Sequence, residues 1–294
     1  MSIYNQNNIH SAMKHLERIH IIMPIHNVPL DIFKRAVQSV IRQSFRKWRL
    51  TIIESKESLK MSEACKEFLD ELMLEDSRVV YKTQKGVGVS SARNQALDEE
   101  RTTLVAFLDG DDWWESTYLE VMAGYAGAMP EKDIFWCKAM YQNNVVSQFT
   151  GGHDVQLLPF EEYEDLDYVH EDLYHYYFMT VPVYPSGMIV RRNAIEEVGL
   201  FDETINRVED VDLLMKLTEP NIEGVSRKCY YVNFPLMYRD MSKEDTKMNS
   251  WITAEESQEL LSLRYPLPDS YNQPSHIPDT DWSLILDIVA PLVK

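Results

Sequence analysis

The sequence predicts an α/β fold, with a mainly parallel sheet flanked by helices and a less regular second half. Two observations carry this. Apolar strand-like runs and amphipathic stretches alternate four times within the first 110 residues, the pattern of parallel strands joined by helical crossovers. The chemically richest residues also fall just after the strand-like runs, which in open α/β sheets is the rim where ligands bind.

Taken in order, residues 18–27 (RIHIIMPIHN) read as a short buried strand stopped by Pro24, with His26 and Asn27 just beyond it. Residues 29–44 place Ile32, Phe33, Ala36, Val37, Val40 and Ile41 at helical spacing, and Asp31 in the first turn suits the helix dipole. A second strand (48–55) and helix (62–76) follow, then a third strand (78–83) and a third helix (89–100) behind the loop KGVG. The fourth strand (103–109) runs into Asp109-Gly110-Asp111-Asp112 and two tryptophans. Beyond it, 133–144 suggests a strand, and 159–179 an acidic, aromatic-rich helix or loop. Residues 185–203 read as a strand, then a helix from Arg192 to Val198 ended by Gly199. Residues 209–220 form a helix with Glu209, Asp210 and Asp212 in its first turn, 228–239 are β-rich, and 281–293 are amphipathic.

Composition narrows the function classes. Hydrophobic residues make up 45% and charged residues 26% of 294 residues, as in an ordinary globular protein. A net charge of -18 argues against a sequence-independent nucleic-acid binder, which needs a basic face. Cys65, Cys137 and Cys229 are far apart and odd in number, so reduced thiols and a cytoplasmic setting are expected. The first twenty residues lack the apolar core of a signal peptide, and no run approaches ~18 apolar residues, so no transmembrane segment is expected. Attachment to a membrane surface through another protein stays open.

Three carboxylates at the end of a buried strand repel one another, and a compensating positive charge is expected nearby. Hard divalent cations such as Mn²⁺ and Mg²⁺ take carboxylate oxygens and share their remaining positions with substrate phosphates. The competing reading is a turn of common turn formers, with Asp112 capping a helix that begins at Trp113. Other chemistries fit poorly. The histidines of HEDLYH are five apart, off one helix face; GVGVSS lacks the third glycine of a dinucleotide loop; and neither a phosphate loop nor a G-x-S-x-G elbow occurs. A nucleotidyltransferase would carry a glycine-rich, basic loop after the first strand, which MPIHNVPLDIF is not. Glu209 and Asp210 taken alone read as a favourable helix start, and Arg93 as a surface helix charge.

The blocks IIMPIHN, GVGVSSARNQAL, AFLDGDDWW, SGMIVRRNAIEEVGLFDE and VEDVDLLMKL, in this order, resemble the inverting GT-A glycosyltransferases of family 2 over roughly residues 18 to 240. The resemblance implies a GT-A fold divided into an N-terminal extension (1–17), a nucleotide-sugar-binding half (18–115), an acceptor-binding half (116–240) and a C-terminal extension (241–294). It implies transfer of a sugar from a nucleotide-diphosphate donor, commonly a UDP-sugar, to a hydroxyl of a glycan or carbohydrate acceptor, with Mn²⁺ or Mg²⁺. Pro24, His26 and Asn27 would line the base and ribose pocket, with Arg93 near the nucleotide and diphosphate and Asn94 supporting the loop. Asp109 would bind ribose, Asp111 the metal, and Asp112 would orient the donor sugar or its neighbours. Glu209 and Asp210 match the family's ED pair, whose Asp is the general base.

Two positions depart from the family. Its second strand usually ends in paired Asp residues that read the base, where this chain has Glu54 and Ser55. Its YR is often followed by a His of the metal shell; here Asp240 follows, so either Asp240 substitutes or Asp111, phosphates and water hold the metal. These departures keep a second reading open, a catalytically silent sugar-nucleotide-binding or scaffold protein of a glycan-assembly pathway.

Overall fold

The computed structural model describes residues 18–56, 58, 63–142, 184–205, 208–218, 229–240 and 264. The first half holds β1 (Ile19–Ile25), α1 (Leu30–Ile41), β2 (Trp48–Glu54), α2 (Glu63–Glu75), β3 (Val79–Thr83), α3 (Gly88–Glu99) and β4 (Leu104–Phe107). Then come β5 (Trp113–Trp114), α4 (Tyr118–Ala128), β6 (Ile134–Gln142), β7 (Met188–Arg191), α5 (Arg192–Glu197), α6 (Glu209–Thr218) and β8 (Cys229–Asp240). The eight strands form one sheet in the order β3-β2-β1-β4-β7-β6-β8-β5. β3, β2, β1 and β4 are mutually parallel, as the sequence predicts. β7 enters antiparallel between β4 and β6, β8 lies parallel to β6, and β5 closes the far edge antiparallel to β8.

β1, β2 and β4 read as largely apolar runs because both faces are covered. Ile19, Ile21, Met23, Leu104, Ala106 and Leu108 pack into a core with α1, α2 and α4. Their alternates Ile22, Val105 and Phe107 pack into a second core with α3, α5 and α6. The second core is tied by Arg192, whose guanidinium donates to the carbonyls of Leu97 (2.8 Å), Thr102 (2.9 Å) and Glu100, closing the end of α3. Gly199 (φ 86) ends α5, and Leu200 N bonds back to Ile195 O at 3.0 Å, the turn only glycine enters without strain.

Several elements differ from the sequence expectation. β1 does not stop at Pro24 but pairs with β2 through Ile25. Leu108 N bonds Ile22 O and Ser55 N bonds Ile25 O, so Pro24 faces the β4 side, where the ladder has ended and no N–H is needed. Trp113 and Trp114 start no helix; they form β5, and the unanticipated helix α4 begins only at Tyr118. The N-terminal extension, the 159–179 segment and the amphipathic 281–293 stretch lie outside the described residues. No helix among the described residues is long and apolar enough to cross a membrane, and all three cysteines are buried free thiols.

The acidic turn after β4 rests on the end of β1. A Cβ at buried Gly110 would meet Ile25 Cγ2 at 2.6 Å and Val28 Cγ2 at 3.3 Å. Gly110→Ala is therefore expected to cost about 1–3 kcal/mol in urea unfolding, the usual range for overpacking. An unchanged midpoint would show that the turn is not seated as described.

Candidate active site

The acidic turn is built by groups far apart in sequence. Asp112 N bonds Asp109 O at 3.1 Å and closes it. Ser186, buried in a 3₁₀ turn just before β7, then locks it: the Asp109 N–H donates to Ser186 Oγ (3.0 Å), and that hydroxyl donates to Asp112 Oδ2 (2.6 Å). Trp114 Nε1 donates to the Ser186 carbonyl at 2.6 Å. Burial, then the neighbouring charges of Asp111 and Asp109, raise the proton affinity of Asp112 well above that of a free carboxyl; Arg239 and the Ser186 hydroxyl oppose this. Asp111 is half-buried, and its carbonyl accepts from Arg35 Nη2 at 3.4 Å. The Arg35 guanidinium lies 3.7 Å from the Trp113 ring, which stacks on Tyr238 at 5.1 Å.

A positive charge beside the acidic turn comes from Arg93, which is not the surface helix charge it reads as on its own. Projecting from α3, it is 3% exposed and bonds Asp109 Oδ1 at 3.0 Å and Glu209 Oε1 at 2.8 Å. Its guanidinium lies 5.2 Å from the Phe201 ring. Burial opposes its charge, but Asp109, Glu209 and Asp210 hold its pKa above the ordinary arginine value. Arg93 is thus a buried bridge beneath the rim, joining the end of β4 to the start of α6. The next residue, Asn94, fixes the 201–203 segment: its amide nitrogen donates to Phe201 O and Glu203 Oε1, both at 2.9 Å, and its oxygen accepts from Phe201 N at 3.1 Å.

α6 begins behind a strained residue. Val208 has φ 53, a conformation that a β-branched side chain rarely adopts. Its carbonyl accepts Asp212 N at 2.8 Å, and Asp210 Oδ1 accepts Val211 N at 2.8 Å. With Glu209 given to Arg93, Asp210 forms no ion pair of its own among the described residues. Burial, then the charge of Glu209, raise its pKa to about 6, against the pull of Arg93.

The neighbouring strand ends carry the remaining anticipated residues. Half-buried Pro24 lies near the end of β1; His26 Nε2 and Asn27 Nδ2 follow at 3.1 Å from each other, with Asn27 at φ 51. Glu54 ends β2 and accepts from the Tyr81 hydroxyl, whose pKa is pushed up to about 12 by burial and by that carboxylate. Asp240 is the last residue of β8, two positions past Tyr238, which pairs with Trp113. The structure thus joins Arg93, Asp109 and Glu209 directly and sets Asp210 beside them. It gathers Asp111 and Asp112 into one turn and leaves Pro24, His26, Asn27 and Glu54 on adjoining strand ends.

Sequence reasoning missed Ser186 and Tyr81. Ser186 stands inside a quoted motif, but nothing local shows that its hydroxyl serves a carboxylate 74 residues away. Among the described residues no three His, Cys, Asp or Glu side chains converge as a self-sufficient metal cage.

Residues 20–199 match the family model described as Glycosyl transferase family 2. The chain is 30% identical over 106 residues to the glycosyltransferase GlyA of Streptococcus pneumoniae, covering 36% of this chain and 14% of GlyA. It spans less than two thirds of the length of the first curated relatives it matches. Staphylococcus aureus TarS, solved with UDP-GlcNAc, superposes with a TM-score of 0.62 at 14% identity, covering 86% of this chain and 69% of the other. The mannosyltransferase PcManGT of Pyrobaculum calidifontis, solved with GDP-Man and Mn²⁺, gives 0.55 at 13% identity, covering 89% and 68%. At these identities the two structures speak to the fold.

The site also costs stability. A carboxyl whose folded pKa, about 6 for Asp210, lies above the unfolded value of 3.8 favours the folded state below both values, and that contribution is lost as pH rises through 6. Asp210→Asn, which cannot ionise, is expected to melt at a higher temperature than the wild type at pH 8, with the gap closing toward pH 4. A lower melting temperature for the variant at pH 8 would contradict this.

Proposed function

The chain belongs to glycosyl transferase family 2, and on that premise we propose that it moves a sugar from a nucleotide diphosphate, UDP foremost, to a hydroxyl of a glycan or carbohydrate acceptor with inversion. The observation that carries the reading is the division of labour between Glu209 and Asp210: Arg93 takes the first, leaving beside it a carboxylate with a pKa of about 6. A general base works best with a pKa near the operating pH. Asp210 accepts the proton of the acceptor hydroxyl as that oxygen bonds to the anomeric carbon. The bond from that carbon to the diphosphate oxygen breaks, and the nucleotide diphosphate leaves.

The nucleotide end follows from the strand ends. Pro24, His26 and Asn27 border the base and ribose, and Glu54, held by the Tyr81 hydroxyl, is a fixed acceptor for a base N–H. Asp109, turned by Arg93, accepts from ribose, and Asp112, held by Ser186, orients the donor sugar or its neighbours. Mn²⁺ or Mg²⁺ fits this rim, because such ions need only one or two carboxylates beside substrate phosphates, and the crowded charge that raises Asp112 is the kind a cation relieves. Asp111 would hold it, with Asp240 as the second candidate, and when bound it would stabilise charge on the leaving diphosphate. Residues 18–115 then serve the donor and 116–240 the acceptor, in a cytoplasmic setting that suits three reduced, buried thiols.

Calorimetric titration with UDP, GDP and dTDP, each with and without Mn²⁺, is expected to show metal-dependent binding of one nucleotide that Asp111→Asn loses. No binding to any of them would turn the reading toward a silent scaffold. Asp210→Asn is expected to lower turnover by at least about 10²-fold, the low end for a lost general base, while sparing nucleotide binding. Wild-type kcat/KM should fall as pH drops below about 6. Retained turnover in Asp210→Asn would remove the base assignment.

A further inference from the structure

Asp212 lies two residues after Asp210 in the first turn of α6, and its side chain is 0% exposed. A carboxylate buried so completely must be paired or it destabilises the fold. Two cations meet it. Lys216 Nζ, one turn further along α6, is 2.8 Å from Oδ2, and Arg264 Nη1 is 3.2 Å from Oδ1. Arg264 comes from beyond β8, 52 residues after the carboxylate it meets.

The same nitrogen of Arg264 is 2.7 Å from Asp202 Oδ2. Asp202 in turn accepts from Thr204 N at 2.8 Å and Thr204 Oγ1 at 2.6 Å, and these bonds with Arg264 hold its carboxyl well below the usual range. It follows Phe201, which Asn94 of α3 grips from the other side. One guanidinium therefore ties the 201–205 segment to the first turn of α6, and its two partners, Asp202 and Asp212, flank Val208, Glu209 and Asp210 in sequence. Val208 sits at φ 53, and such a conformation persists only when its surroundings hold it. Lys216 cannot supply this hold, because it belongs to α6 and moves with the helix. Arg264 bonds both sides.

We propose that Arg264 is a positioning residue: a cation from beyond β8 clamps the first turn of α6 to the 201–205 segment and so fixes where the Asp210 carboxylate is presented. It touches neither donor nor acceptor. The proposal rests on the reading of Asp210 as general base, and the test separates the two.

The experiment uses the full chain with Arg264→Ala, Arg264→Lys, Asp212→Asn and the Asp212→Asn/Arg264→Ala pair. Arg264→Ala is expected to lower kcat about tenfold, the scale seen when a functional group loses its supporting partner, with donor KM and nucleotide affinity unchanged. Hydrogen exchange of the amides of residues 209–213 should quicken in the same variant, and Arg264→Lys should restore part of both. In the Asp212→Asn background, where the buried charge is gone, removing Arg264 should cost markedly less than in the wild type. Unchanged kcat and exchange in folded Arg264→Ala would overturn the proposal. So would an effect on KM alone, or an equal loss in both backgrounds. Faster exchange at 209–213 alongside full turnover in Asp210→Asn would keep the clamp and dismiss the base. Should Arg264→Ala not fold, the Lys and Asn variants carry the same comparison.

Discussion

The site depends on one buried guanidinium. Five carboxylates, those of Asp109, Asp111, Asp112, Glu209 and Asp210, gather where the strand ends meet α6, and like charges at such range cannot all stay ionised without help. Arg93 serves two of them, one from each half of the chain. Asp109 and Glu209 are paired with it, whereas burial and then neighbouring acids raise the proton affinity of Asp210 and Asp112 above that of a free carboxyl. Of two adjacent acids, Glu209 is tied to Arg93 while burial and the charge of Glu209 raise the proton affinity of Asp210. A buried ion pair of this kind is weak evidence of net stability; what it specifies is geometry and protonation.

Around Arg93 the rest is support. β1, β2 and β3 end at a common level, β4 stops three positions earlier and leads into the acidic turn, and α3, packed on one face, carries Arg93 and Asn94 to that rim. From the other half, the turn before β7 offers Ser186 to the acidic turn. The two halves are thus held by polar contacts at the site as well as by a shared sheet. Charged and hydroxyl groups that would be costly in isolation are satisfied by one another.

Much of this was legible in the sequence, and the gaps have physical causes. β1 to β4 and α1 to α3 announce themselves because β1, β2 and β4 are apolar runs buried on both faces, and strand and helix patterns alternate without a break. The acidic turn and the Glu209–Asp210 pair were visible as charges where burial should forbid them. α4 escaped because YLEVMAGYAGA is apolar nearly all round, with Tyr118, Leu119, Met122, Ala123, Tyr125 and Ala126 buried, so no polar face marks its period. β5 is only two residues long. The antiparallel entry of β7 is a property of the assembled sheet, and MIVR carries no trace of it. Arg93 was singled out, yet its burial and its commitment to two carboxylates were not readable, since both partners arrive from elsewhere in the chain. Ser186, Tyr81 and Arg264 share that cause: each acts on a residue distant in sequence, and no local pattern encodes the meeting.

The place of β7 in the sheet also governs how the protein comes into being. During synthesis β1, α1, β2, α2, β3, α3 and β4 leave the ribosome first, yet the outer edge of β4 finds its partner only when residues 188–191 follow. Until then the nascent sheet presents a bare, wholly apolar edge, the kind that pairs with whatever strand it meets. Asp109, at its end, likewise waits for Ser186 on the same late segment. The 18–115 stretch is therefore a region of the finished molecule and not a unit that matures alone, and the chain depends on quick delivery of its middle, or on a chaperone's shelter, in the interval between.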